Sequence, residues 1–311
     1  MIICAVGGFI DISVITVAPI ALAIGKKSGY HKEALLLAMI GGGKAGNIIS
    51  PNPNTIAVSE AFKVDLTSLM MKNFISAICA VVVTILLSTM LSKKQGVQVT
   101  ENDLEQKEDK NLPSFIQAVA GPVVVVILLA LRPVASIVID PLIALPVGGV
   151  VCALACGQIK NIREYAEFGL GKVVGVSVLL IGTGTIAGII KASALQYDVV
   201  HILKMANMPA FLLAPIAGIL MSGATASTTA GATIGAQTFA GTLIKSGVSA
   251  LSAGAMVHAG ATVIDSLPHG SFFHATGGAA GLEIKERMKL IPYEMCVGLT
   301  STVVAVMMYV I

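Results

Sequence analysis

The sequence predicts an all-α integral membrane protein, a polytopic helical bundle, and three observations carry that prediction. Of its 311 residues, 55% are hydrophobic and only 12% are charged, against about 25% charged in ordinary soluble domains. With a mean hydropathy of +0.88, the chain lacks the polar residues to cover a soluble surface. The apolar residues also fall in blocks close to the roughly 20 residues that a helix needs to cross hydrocarbon. Finally, these blocks show no apolar–polar alternation, the mark of strands in a membrane barrel. Backbone N–H and C=O groups need internal partners in lipid, so the blocks are expected as helices.

A first span is expected over 2–24, closed by Lys26-Lys27. It has no charged leader, Asp11 interrupts it and no cleavage site follows, so it does not read as a signal peptide. The chain reads instead as starting in the middle of a protein, with upstream helices lacking. A second span, 34–49, dissolves into the Gly-, Pro- and Asn-rich stretch 41–55. Amphipathic sequence over 59–72 leads to a third span, 73–91. The stretch 92–113 mixes charges of both signs, including Lys93, Glu101, Asp103 and Lys110, and reads as a hydrophilic linker between two halves. Spans are then expected at 115–131, ending at Arg132-Pro133, at 135–156, interrupted by Asp140-Pro141 and Pro146, and near 173–190. No Asp, Glu, Lys or Arg occurs from Met205 to Ile244, about twice the length of one span. That stretch reads either as two helices with a polar turn or as a re-entrant hairpin lining a cavity. A segment 250–264, a polar Gly-rich stretch, a short basic segment (Lys285, Arg287, Lys289) and a last span, 293–311, complete the chain.

The net charge of +3 is scattered over loops, with no patch suited to nucleic acid. Cys4, Cys79, Cys152, Cys156 and Cys296 lie in or beside apolar blocks without a CxxC pair, and read as small core residues. Alternation of the first loops puts Lys26, Lys27 and Lys32 on one side with the linker, the cytoplasmic side by the positive-inside rule.

Three segments carry chemistry. In 41–55, Asn47, Ser50, Asn52, Asn54 and Thr55 surround Pro51 and Pro53, so no regular helix continues there. This is either a surface loop or a helix broken within the membrane, whose free dipole ends bind ions and substrate groups. In 222–233, Ser222, Gly223, Thr225, Ser227, Thr228 and Thr229 crowd hydroxyls where backbone donors of a helix start favour a carboxylate. Close packing of small residues between helices is the plainer alternative. In 258–274, Asp265 and Ser266 stand near His258, His269 and His274. An Asp at a helix centre costs about 2.5–3.5 kcal/mol on insertion scales, so it is expected to face the interior, and histidines titrate near neutral pH. Asp11 invites the same reasoning; a helix cap at the interface is the alternative for both. Phe9-Ile10-Asp11 and Val263-Ile264-Asp265 echo one another, a hint of an internal repeat.

Phe9-Ile10-Asp11 ahead of a span with Pro19, Ser50-Pro51-Asn52-Pro53-Asn54 followed by Val64-Asp65-Leu66, the cluster Gly223-Ala224-Thr225-Ala226-Ser227-Thr228 and a late Asp265-Ser266 together resemble the gluconate permease (GntP) family, over essentially the whole chain. The resemblance implies proton-coupled symport of gluconate or a related hydroxy acid by alternating access, in a fold with inverted repeats, broken helices and a re-entrant hairpin. It implies that 1–91 is the remainder of a first repeat, 92–113 the inter-repeat loop and 114–311 the second repeat, with the first hairpin missing. It places the protein, multi-pass, in a cell inner membrane, with a possible homo-oligomer and surrounding lipid as partners. Sequence departures at 50–55 and 267–273, and the lack of Trp, favour a small carboxylate other than gluconate, such as 3-hydroxybutyrate. The substrate carboxylate is expected against 222–229 and 47–55. Asp265 or Asp11 would carry the proton, with His269 as a second candidate; sodium is the alternative ion, and no resident cofactor or metal is expected. The rivals are an intramembrane hydrolase, disfavoured because neither GxSxG nor HExxH occurs, and a channel or structural subunit.

Overall fold

The computed structural model describes residues 1–6, 8–104, 113–135, 137, 139–205 and 207–311. Of the expected linker 92–113, residues 105–112 lie outside the described residues, as does Gly7 of the segment before Asp11. Among the described residues all regular structure is helical. The chain divides into two compact units, Met1–Glu105 with Gly182–Ile311, and Gln106–Ile181.

The first unit opens with α1 (Ile2–Ala5) and α2 (Ile10–Ser28). The expected span 2–24 is thus broken before Ile10. Lys26 and Lys27 in the last turn of α2 complement its dipole, and Gly29, at φ 73°, closes it in the left-handed conformation. His31 caps α3 (Lys32–Asn47). Pro51 and Pro53 then forbid continuation, since neither offers an N–H. Asn52, in extended backbone, starts a new helix, α4 (Pro53–Phe62), with Pro53 at its first position. Asp65 caps α5 (Leu66–Lys72) through Ser68 N at 2.8 Å. α6 (Phe74–Ser92) follows.

Residues 182–192 of α9 (Ile162–Ala192) and then α10 (Leu195–Met205) return the chain to this unit. α11 (Leu213–Thr225) and α12 (Thr228–Lys245) form a tight helical hairpin, turned by Ala226 at φ 46°. Ser249 caps α13 (Ala250–Gly260). The chain is non-helical over 261–270, then forms α14 (Ser271–Ala279), α15 (Ile284–Met288) and α16 (Ile291–Val310). Two chain breaks, 48–52 and 261–270, therefore interrupt helices in mid-course.

Two helices organise the packing. α3 is flanked by α2, α6 and α16; α13 is flanked by α11, α12, α4 and α16, so α16 touches both. Leu36, Leu37 and Ile40 of α3 fill one core with Ile10 and Val14, and Val257, Ala259 and Met256 of α13 fill another with Val58, Phe62 and Phe239. α6 turns Ile75, Ile78, Val82, Ile85 and Leu86 outward, and α16 turns out Leu299, Val303 and Met307. Apolar residues repeating at helical spacing on an outer face match lipid tails, not water. Cys296, expected in a core, is exposed on α16, while Cys4 is buried; an apolar thiol tolerates a lipid-facing position.

In the second unit, α7 (Phe115–Ala135) and α8 (Pro141–Ala155) form a hairpin packed through Val125, Leu129 and Ala144. α7 runs past the expected stop at Arg132-Pro133.

By length and apolarity, only α6 and the stretch Ile284–Val310 pass as membrane-crossing helices among the described residues. Helix α13 ends at Gly260, short of the expected 264, whereas α7 and α9 run beyond the expected 115–131 and 173–190.

Candidate functional site

A buried ion pair lies where three interruptions of the helical structure meet. Lys44, near the end of α3, donates to Asp265 Oδ1 at 2.5 Å and to Thr262 O at 2.5 Å. Thr228, in the first turn of α12, donates its hydroxyl to Asp265 Oδ2 at 2.6 Å, and Ser266 donates to Oδ1 at 3.0 Å. Lys44 and Asp265 are each 1% exposed. A buried charge is tolerated only when paired and hydrogen-bonded; here the carboxylate receives three donors and the ammonium two acceptors. Hydrocarbon-facing placement is excluded for both, since each would cost several kcal/mol alone.

Small residues bring these parts together. A Cβ on Gly231 of α12 would stand 2.6 Å from the Ser222 backbone, so the hairpin closes only because that position has no side chain. Gly298 of α16 leaves room for the Thr262–Val263 backbone. The close-packing alternative for 222–233 is thus realised along one face, while Thr228 presents its hydroxyl to Asp265.

A second polar cluster begins one turn further along α3. Asn47 and Lys44, three residues apart, share a helix face. Asn52 Nδ2 donates to Asn47 O at 3.0 Å and also to Asn47 Oδ1, and Asn54 Nδ2 donates to Asn47 Oδ1 at 3.0 Å. Asn52 Oδ1 receives the backbone N–H groups of Asn54 and Thr55 at 2.9 and 3.1 Å, and the Thr55 hydroxyl at 3.3 Å. Asn47, Ser50, Asn52, Asn54 and Thr55 are all fully buried, and Ser50 Oγ, Asn47 Nδ2 and Asn54 Oδ1 meet no hydrogen-bond partner. Such groups cost about 1–3 kcal/mol each when left unpaired, which marks this as a place for a polar ligand or water.

The remaining residues singled out from the sequence stand apart from the ion pair. Ser222 and Thr225 donate to carbonyls of their own helix, Ile219 O at 3.1 Å and Met221 O at 2.8 Å. Ser227 caps α12 through Ala230 N at 3.3 Å, Gly223 abuts Ile264, and Thr229 is buried. Asp11 lies in the first turn of α2 and receives the Ile12 N–H at 2.9 Å, without capping the helix. His269 is exposed on the 261–270 segment, and His274 bonds Pro268 O at 2.8 Å.

Lys44 escaped the sequence reading as a site residue, although it is the lone cation in a long apolar helix stretch and such a cation needs an internal anion. His258 is also buried, with neither ring nitrogen hydrogen-bonded. Elsewhere, a cleft of about 970 Å³ in the second unit is lined by Pro113, Gln117, Pro146, Cys152, Ile162 and Tyr165 among others. None of its lining residues is charged, so it offers an anion no counter-charge, and the ion pair is the better candidate.

Comparison with known proteins identifies the family. The profile described as GntP family permease matches residues 1–311. A protein of Haemophilus influenzae described as an uncharacterized transporter is 52% identical over 309 residues, covering 99% of this chain and 74% of the relative. The chain is therefore a membrane transporter rather than an enzyme, and it belongs to the GntP family of permeases.

Proposed function

We propose that the protein is a secondary active carrier that moves a small hydroxycarboxylate, such as gluconate or 3-hydroxybutyrate, together with a proton by alternating access. The observation that carries this reading is the buried Lys44–Asp265 pair, whose carboxylate also receives the Thr228 hydroxyl. A buried titratable acid opposite a buried cation, among apolar helices, has the composition of a proton and anion relay. The α11–α12 pair is read as the re-entrant hairpin, and 1–91 and 114–311 as the two inverted repeats joined by 92–113. α3–α4 and α13–α14 are read as broken helices, whose interrupted ends hold substrate and ion in many transporters. Asn47, Ser50, Asn52, Asn54 and Thr55 line the substrate side from one break, Ser266 from the other, and Thr228 from the start of α12. On this reading the protein crosses a cell inner membrane several times.

The test is uptake of labelled gluconate and 3-hydroxybutyrate into proteoliposomes under an inward proton gradient. Saturable uptake that collapses with a protonophore supports the reading. Uptake that follows a sodium gradient and ignores the proton gradient replaces the coupling ion, and single-channel conductance replaces the carrier.

A further inference from the structure

We propose that Lys44 is the seat of the substrate carboxylate and that Asp265 is its resident substitute, displaced when it takes the co-transported proton. The inference rests on the carboxylate-carrier reading above and gives it a coupling rule.

The argument is one of charge in a closed space. Lys44 and Asp265 are buried to the same degree and are joined at 2.5 Å. α3 contributes Lys44; α6 contributes no charged residue. α12 contributes Thr228, which does not titrate, and α13 contributes His258. α16 contributes Glu294, which Arg287 of α15 already holds. In the 261–270 segment His269 is exposed, and His274 of α14 is bonded to Pro268 O. Asp11, at the start of α2, bonds its own helix. Among the described residues, the pair's other hydrogen-bond partners are thus the uncharged Thr262, Thr228 and Ser266.

Four occupancy states follow. Lys44 with ionised Asp265 is neutral and is the state in the structure. Protonating Asp265 alone leaves a buried ammonium unpaired, and adding a carboxylate alone sets two anions against one cation; either leaves an uncompensated charge. Protonated Asp265 with the substrate carboxylate on Lys44 is neutral again. Only the first and last states can pass through a dry, closed conformation, so one proton travels with each carboxylate. The proton enters on Asp265 from the side of uptake and leaves on the other side as Asp265 recaptures Lys44. Thr228 and Ser266 now donate to the Asp265 carboxylate. Once that carboxylate is protonated, the oxygen that takes the proton loses acceptor capacity, which releases the hydroxyl bonded to it for a substrate hydroxyl. The class of substrate is thus a monovalent hydroxy acid; a dicarboxylate brings a second charge with no second cation at the pair.

The experiment measures binding of labelled gluconate and 3-hydroxybutyrate to the purified protein as a function of pH, with folding checked by size exclusion. For the wild type the expected apparent Kd rises tenfold per pH unit on the alkaline side, the signature of one proton per carboxylate. Asp265→Asn is expected to bind with no pH dependence and to exchange substrate without accumulating it. Lys44→Gln is expected to weaken binding by roughly 100-fold or more, and Lys44→Arg to retain it. The neutral double variant Lys44→Gln/Asp265→Asn is expected to fold and not bind. Where Asp265→Asn does not fold, the contrast between Lys44→Arg and Lys44→Gln decides. Wild-type affinity in Lys44→Gln, or an unchanged pH slope in folded Asp265→Asn, overturns the pair's role. No binding of either acid by the wild type at any pH overturns instead the carboxylate reading beneath it.

Discussion

Gly231 sets how closely the two arms of the α11–α12 hairpin approach, and a graded series along α12 tests that. A Cβ at Gly231 would sit 2.6 Å from Ser222 N, Cα and Cβ. Contact distances between carbon atoms are about 3.5 Å or more, so Gly231→Ala must open the hairpin by roughly 0.9 Å. Backbone atoms, not a flexible side-chain end, stand in the way. Overpacking of this kind costs about 1–3 kcal/mol, against at most about 1 kcal/mol gained from better helix propensity. Gly235 is less constrained, with Ala217 O and Val257 Cγ1 at 3.3 Å, and Gly241 faces open space. The expected order of thermal stability is Gly241→Ala above Gly235→Ala above Gly231→Ala. Transport should follow the same order, because Thr228 lies one turn from Gly231 and its 2.6 Å bond to Asp265 does not survive a displacement near 1 Å. Stability is read from size-exclusion recovery after heating, and transport from initial uptake rates. Gly231→Ala matching Gly241→Ala in both would refute the close approach.

Three further outcomes are expected. Arg287 and Glu294 form a second buried pair, 1% and 0% exposed, with the guanidinium 4.8 Å from the Phe273 ring centroid. Arg287→Met or Glu294→Leu alone should destabilise by about 3–5 kcal/mol, and the double variant should recover most of it, which a double-mutant cycle on melting temperature checks. Asn52→Asp should keep the α4 cap but lose the two donors to Asn47, so helix content holds while uptake falls. In the segment before residue 105, Asp103 receives Lys32 Nζ at 2.6 Å and Thr100 N at 2.7 Å. Burial opposes its ionisation, but Lys32 and Thr100 outweigh burial and hold its carboxyl below the usual 3.8. Because the folded value is the lower one, the stabilisation is complete above pH 3.8 and is lost as pH falls through the folded value. Limited proteolysis within 93–104 should therefore accelerate only in that acid window in the wild type, and already at neutral pH in Asp103→Asn.

The spans easiest to read were those whose apolar runs end at helix caps or charges. The expected 34–49, 73–91 and 293–311 correspond to Lys32–Asn47, Phe74–Ser92 and Ile291–Val310. Hydropathy failed where apolar residues are not helical. Residues 261–264 extend the apolar run of α13, yet the helix ends at Gly260, where tight contacts with Pro215 and with α16 at Gly298 set the path of the chain. The break before Ile10 was invisible for a similar reason, since residues on both sides of it are apolar. Asp265 and Thr228 were legible as polar groups out of place among apolar ones. Lys44 was not connected to them because its partner lies 221 residues away, and one sequence carries no record of such proximity. For the hydroxyls of 222–233, composition could not separate those bonded to their own helix, such as Thr225, from the one turned to Asp265.

The most direct test of the account is proton movement driven by substrate alone. Proteoliposomes enclosing a pH-sensitive dye and holding no initial proton gradient are given external gluconate or 3-hydroxybutyrate. Acidification of the lumen in step with labelled uptake, proton for carboxylate, is the predicted result. Uptake of the label with no change in lumen pH would contradict it.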